Sequence, residues 1–307
     1  MKLKNQGGIF KGGEKLLKNK KWPTMVLWNS QRDKRILKFI GLVVLIFIIV
    51  FGVLALSDDS DFSDDSLSQN TEEESDCNVV GIEIRGDLVT YISASDYDAD
   101  GNILTDQTAS ETVVATIENA EKDETIKAIL VEIDSYGGMP VAGEEISVAI
   151  KNAKKPNVAL IRGAGDSAAY WAATGANRIF ASKNSDVGSI GVTMSYLSAE
   201  NSNKETGFIY NSLSSGKFKD SGDPDKQLTD EEKQLFMRDV NIIHQNFIQA
   251  VSQNRNLDLK KVEALADGSA MLGEMALQNG LIDQIGGMLE VNQYLKDKIG
   301  ADPEICW

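Results

Sequence analysis

Beyond residue 78, short apolar runs alternate with stretches of helical spacing. "VVGIEI" (79–84), "KAILVEID" (127–134), "NVALIRG" (157–163) and "RIFAS" (178–182) are rich in β-branched residues and predict strands. Between them, "ETVVATIENAEKDE" (111–124), "VAGEEISVAIKNAKK" (141–155) and "AAYWAATGA" (168–176) carry apolar residues at helical intervals. The order βαβαβαβ predicts parallel strands joined by crossover helices, hence an α/β domain. From Thr229 to Asn254 a long amphipathic helix is expected, with Thr229 as N-cap and acids in its first turn.

A different pattern precedes this body. "FIGLVVLIFIIVFGVLAL" (39–56) is an uncharged run preceded by Ile36 and Leu37. With its flanks it approaches the roughly 30 Å of a bilayer's hydrocarbon core at about 1.5 Å per helical residue. One transmembrane helix over residues 36–56 is expected. A cleaved signal peptide has a shorter apolar region, about 7–15 residues.

Charge sharpens that picture. Of the 31 Lys/Arg and 46 Asp/Glu that give the chain −15, eleven bases and two acids lie in residues 1–38, so this segment is +9 and the remainder −24. By the positive-inside rule residues 1–35 form a basic cytoplasmic segment and everything beyond the span lies outside the membrane. Residues 57–76, with nine acids and no base, are expected to be a disordered tether, because they cannot bury enough apolar surface to offset chain entropy. Residues 77–307 then form an extracytoplasmic domain. Its two cysteines, Cys77 and Cys306, bracket it, either as one disulfide or as two free thiols. "DYDADGNILTD" (96–106) sets Asp96, Asp98 and Asp100 at alternate positions like the front of a calcium loop. Gln107 stands where that loop needs a bidentate glutamate, so the cluster reads as turn material and no ion is assigned.

Four polar stretches carry the candidate chemistry. "IDSYGGMP" (133–140) ends a strand in a glycine pair ahead of a helix, which suits either a plain βα turn or a close backbone approach to a ligand. "RGAGDSAAYWAA" puts Ser167 at the next strand-to-helix junction, as a capping residue or as a nucleophile with the Ala168 N–H beside it. "SDVGSIGVTM" (185–194) and "SSGKFKD" (214–220) are polar loops. The single histidine, His244, falls on the polar face of the long helix, so a base for Ser167 has to be a lysine.

Taken together, these stretches resemble the signal peptide peptidase A family of membrane-anchored serine proteases, over roughly residues 79–290. "DGSAMLGEMALQNGLIDQIGG" (267–287) resembles the tail of the same family. The resemblance implies a ClpP/crotonase-like fold and a Ser/Lys dyad. By position, Ser167 matches the nucleophile and Lys219 the general base, because the family's S-G-x-x-K selects it over Lys217. Ser189 matches the serine that orients the lysine, and the amides of Gly138 and Ala168 match the oxyanion hole. Two departures affect the shape of the pocket. Ser167-Ala168-Ala169-Tyr170 stands for the family's S-G-G-Y, and Ser135-Tyr136-Gly137-Gly138 for S-P-G-G.

The resemblance further implies hydrophobic peptide substrates released in or near the membrane, such as remnant signal peptides. It implies a ring-like homo-oligomer in which serine and lysine can come from neighbouring subunits, and no metal, organic cofactor or nucleic acid. Two other functions are open to the same fold. A crotonase-like acyl-CoA enzyme is disfavoured by an external domain, since CoA is cytosolic. An inactive assembly protein is disfavoured by the joint presence of Ser167, Ser189 and Lys219.

Overall fold

Strand β1 (Val79–Val89) is the hub of one edge of the sheet. It pairs along its length with β3 (Ala128–Gly138) and, on its other side, with β9 (Ile305–Cys306) at its start and β2 (Gln107–Ala109) at its end, all parallel. β4 (Asn157–Asp166) adds to β3. Its far side is shared by β5 (Ile179–Ala181) and then by β6 (Asp186–Gly188). β8 (Gln284–Ile285) extends β5, and β7 (Ala270–Leu272) joins β6 as the antiparallel pair. The computed structural model describes residues 77–96 and 105–307, which belong to one compact unit. The expected basic segment, transmembrane helix and acidic tether, together with Asp98 and Asp100, lie outside the described residues. Among the described residues no helix is long and apolar enough to cross a membrane, and no group of acids, histidines or cysteines is arranged to hold a metal ion.

The central strands read as continuous apolar runs because both faces of the sheet are covered. On β3, Ile129, Val131 and Ile133 face a core built with helices α1 (Ser110–Lys122), α2 (Pro140–Asn152) and α3 (Ala168–Ala173). The alternate residues Ala128 and Leu130 join Val158, Leu160 and Phe180 under α8 (Met288–Ile299), which contributes Val291 and Leu295. α2 opens on Pro140 at its first turn, where a missing N–H costs nothing.

Past β6 the chain leaves the sheet. Residues 193–198 are exposed, and α4 (Glu200–Thr206) is the one helix before α5 (Asp230–Arg255). α5 starts with a reciprocal cap in which the Thr229 hydroxyl accepts the Glu232 N–H and the Glu232 carboxylate accepts the Thr229 N–H. Only its far half is packed into the core, through Phe247, Ile248 and Val251. α6 (Leu259–Leu265) and α7 (Gly273–Asn279) complete the helices. Cys77 and Cys306 form a disulfide with Cα atoms 5.7 Å apart, settling the choice that the sequence leaves open.

Candidate active site

Ser167 stands alone between two elements, one residue past β4 and one before α3. Its backbone is at φ 51°, ψ −123°, a conformation that costs an L-residue on the order of 1–3 kcal/mol. The junction is held from both sides. The Ser167 N–H donates to Gly188 O at 2.8 Å, and the Ser167 carbonyl accepts the Trp171 N–H at 2.9 Å. Every residue of α3 is buried. Tyr170 donates its hydroxyl to Leu281 O at 2.8 Å, and burial raises its pKa well above that of an ordinary phenol. Trp171 stacks on Phe247 of α5 with ring centroids 4.8 Å apart. α2 can approach α3 because Gly143 faces it; a Cβ there would lie 2.5 Å from Ala168 O.

The end of β3 forms the other wall. A Cβ on Gly137 (φ +111°) would lie 2.8 Å from the Ser167 Cβ and 3.0 Å from the Ala168 N, so only glycine lets the two turns meet. The Gly137 N–H is already taken, donating to Ser135 Oγ at 3.0 Å, while that hydroxyl donates to Gly86 O at 2.6 Å. Met139 donates its N–H to Leu88 O at 2.8 Å on the β1 side. Gly138 closes β3 at φ +152°, where a Cβ would run into the Leu88 backbone of β1 at 2.3 Å. Ala168 begins α3, and its N–H belongs to the first turn, which lacks intrahelical acceptors. The positive φ falls on Ser167 and not on Ala168 or Ala169, so alanine replaces the family's glycines without backbone strain.

Ser189 follows Gly188 directly and is also at positive φ (47°); its hydroxyl donates to Gly268 O at 2.9 Å. Ser167, Gly138, Ala168 and Ser189 thus come together around the ends of β3, β4 and β6. Lys219 does not join them by any hydrogen bond. It is exposed on the segment between β6 and α5, its N–H donates to Gly216 O at 3.1 Å, and its ammonium makes no ion pair among the described residues. Lys217 pairs with Glu231 at 2.6 Å and lies over the Phe218 ring. His244 is partly buried on α5 with its Nε2 unpartnered.

Sequence reasoning missed Asp166. It is 5% exposed, its Oδ1 has no hydrogen-bond partner, and burial, with the Asp186 charge on the neighbouring strand, pushes its pKa up to about 6. An acid immediately before the candidate nucleophile was the available signal. The glycine pair is legible as a site of close approach, but that Gly137 is the one meeting Ser167, and that the Ser135 hydroxyl ties Gly86 to this turn, depends on contacts between strands.

The model of peptidase family S49 matches residues 149–302, half of the chain and the part that contains Ser167, Ser189 and Lys219. The chain belongs to peptidase family S49. Similarity to individual proteins extends over a longer stretch. A "Putative protease" of Methanocaldococcus jannaschii is 32% identical over 192 residues, covering 62% of each chain. Protease 4 of Haemophilus influenzae is 29% identical over 194 residues, covering 62% of this chain and 31% of that one. The chloroplastic serine protease SPPA of Arabidopsis thaliana is 29% identical over 192 residues, covering 62% and 28%. The match thus spans less than two thirds of the length of these relatives. Among solved structures, a ClpP1 mutant from Listeria monocytogenes superposes on 67% of this chain and 91% of that one, with a TM-score of 0.44 and 14% identity.

Proposed function

We propose that the protein is a membrane-anchored serine endopeptidase that hydrolyses hydrophobic peptides, such as remnant signal peptides, through an acyl-enzyme on Ser167. The observation that carries this reading is the strained Ser167 junction pressed against Gly137, and the amides of Gly138 and Ala168 are assigned to the oxyanion hole. A strand-to-helix turn strained at one serine is how other hydrolases expose a nucleophile, and the membership of family S49 agrees with it.

In this reading neutral Lys219 takes the Ser167 proton as Oγ attacks the peptide carbonyl. The Gly138 and Ala168 amides stabilise the tetrahedral oxyanion, the lysine protonates the leaving amine, and water then hydrolyses the ester. A lysine acts as a base only as the neutral amine, which loss of water from around the charged form favours, so in this reading the exposed Lys219 has to be covered. A second copy of the chain would do this. Support comes from the apolar side chains exposed on the same segment as Lys219, among them Leu197 (90%), Phe208 (72%) and Ile209 (82%). The function is therefore assigned to a homo-oligomer in which Lys219 serves Ser167 of a neighbouring subunit. The anchor is residues 36–56, with the catalytic domain outside the membrane.

The test is hydrolysis of an apolar fluorogenic peptide by the full-length protein in detergent, with an active-serine probe and the mass of the assembly. Expected are activity rising toward alkaline pH, labelling of Ser167, a mass of several subunits, and loss of turnover in Ser167→Ala and in Lys219→Ala. Full activity in both variants overturns the dyad. Absence of labelling in a folded, assembled wild type overturns the protease.

A further inference from the structure

The segment that bears Lys219 is mostly exposed, yet it encloses a cluster of charges of the kind usually found in a core. Lys226 donates to Glu232 at 2.6 Å and lies 3.2 Å from Asp220. The Glu232 side chain is 3% exposed, that of Lys226 21% and that of Asp220 17%. Glu232 is saturated with donors, since its other oxygen accepts the Thr229 N–H at 2.8 Å and the Thr229 hydroxyl at 2.9 Å. The Lys226 ammonium and these Thr229 bonds hold its pKa down at about 2. On the far side of Asp220, the Tyr210 hydroxyl lies 3.4 Å from its carboxylate and 3.2 Å from that of Asp223.

Asp220 is the residue after Lys219, so the cluster acts on the backbone that carries the ammonium. That backbone is a run of tight turns: Lys219 N–H to Gly216 O, Ser221 N–H to Phe218 O at 3.3 Å, and Asp223 N–H to Asp220 O at 3.2 Å. The next residues are tied as well, with Pro224 O accepting the Ala199 N–H at 2.7 Å and Asp225 accepting from the Asn203 amide at 2.9 Å. An ion cluster so largely withdrawn from water is a poor source of net stability, because the desolvation of its charges offsets their attraction. Its best-attested use is to fix one geometry among several. Apolar packing would hold a mere projection equally well; fixing one register of the turn at Lys219 calls for directional bonds.

We infer that Lys226, Glu232 and Asp220 form a positioning device for Lys219, holding residues 216–223 in the single arrangement that delivers the lysine amine to a serine nucleophile. The inference rests on the protease reading above. None of the three touches substrate. Their substitution lowers the rate of the chemical step and leaves substrate binding and assembly in place.

The test is steady-state kinetics on the full-length protein with the apolar fluorogenic peptide, alongside the mass of the assembly. For Lys226→Met and Glu232→Gln, kcat is expected to fall about 10–100-fold with KM within about twofold of wild type, the loss typical of a reacting group misplaced by an ångström. Lys226→Arg, whose fork reaches both carboxylates, restores most of kcat. Lys233→Met, which removes a surface pair on the same helix, leaves it unchanged. Wild-type kcat in both Lys226→Met and Glu232→Gln overturns the inference. So does a loss that Lys226→Arg fails to restore, or one that comes with a fall in assembly mass. A wild type that is inactive and unlabelled at Ser167 overturns the protease reading itself, which separates the two failures.

Discussion

Trp171 and Phe247 stack almost flat, 4.8 Å between centroids and 5° between planes, and this contact joins the helix behind Ser167 to α5. The opposite end of α5 carries Glu232 and, through Lys226 and Asp220, the turn of Lys219. The fifteen helical steps from Glu232 to Phe247 span about 22 Å at 1.5 Å per residue, so one rigid rod links the candidate nucleophile to the segment of the candidate base.

Removing the Phe247 ring leaves a cavity against α3. Phe247→Ala is expected to cost about 3–5 kcal/mol of stability, and Phe247→Leu clearly less. Urea unfolding measures the cost. Because α3 sets the Ser167 backbone, labelling of Ser167 by the active-serine probe should also slow in Phe247→Ala at temperatures where the protein is folded. A loss below about 1 kcal/mol would mean that the stack does not anchor α3.

Gly137→Ala tests the close approach of the β3 turn to Ser167. The added methyl would meet the Ser167 Cβ at 2.8 Å, and φ +111° is itself strained for alanine. The nearest atom in the way is the nucleophile's own Cβ, followed by the Asp166 O and Ala168 N at 3.0 Å, so relief comes by moving the Ser167 turn. Turnover is expected to fall at least about 100-fold, with the circular dichroism of the folded domain retained. Unchanged kcat would show that the two turns separate without consequence.

The long strands were legible because a run buried on both faces is written in consecutive apolar residues, as "AILVEI" in β3 shows. β2, β6, β7, β8 and β9 were not, because elements of two or three residues owe their existence to a neighbouring strand and carry no period of their own. At the site, motifs single out Ser167, Ser189, Gly138, Ala168 and Lys219; the first four lie at the ends of the paired strands β3, β4 and β6, and Lys219 lies on the exposed segment beyond β6. Ser135 and Asp166, whose Oδ1 has no partner, escaped, as did the contact of Gly137 with Ser167, since these features arise from contacts across strands. Cys77 and Cys306 illustrate the same limit. What brings them together is the parallel pairing of β1 with β9, Val79 with Ile305 and Val80 with Cys306.

That disulfide closes a loop of 229 residues. Crosslinking so long a chain removes much denatured-state entropy, and loss of the bond is expected to cost about 3–5 kcal/mol. Cys306→Ser, or wild type under reductant, should unfold at lower urea concentration by a matching amount, and the double variant Cys77→Ser/Cys306→Ser should equal the single one. An unchanged midpoint under reductant, with free thiols confirmed by alkylation, would remove the disulfide from the account of stability.

Asp166 predicts a pH dependence of opposite sign to that of Glu232. Glu232, held at about 2 against 4.5, contributes stability that is present above pH 4.5 and lost as pH falls toward 2. Asp166 is raised from 3.8 to about 6, so between those values the folded state holds the proton more tightly than the unfolded chain does. Stability from this group is therefore greatest below pH 3.8, declines as pH rises toward 6, and is level above. Asp166→Asn keeps the shape and stays neutral. Its stability relative to wild type is expected to rise by roughly 2–3 kcal/mol between pH 4 and pH 7.5, the equivalent of about two pKa units. Taking the difference between the two proteins at each pH cancels Glu232 and every other shared group. A difference independent of pH, measured by urea unfolding at both values, would mean that Asp166 is not a buried acid held near neutrality beside Ser167.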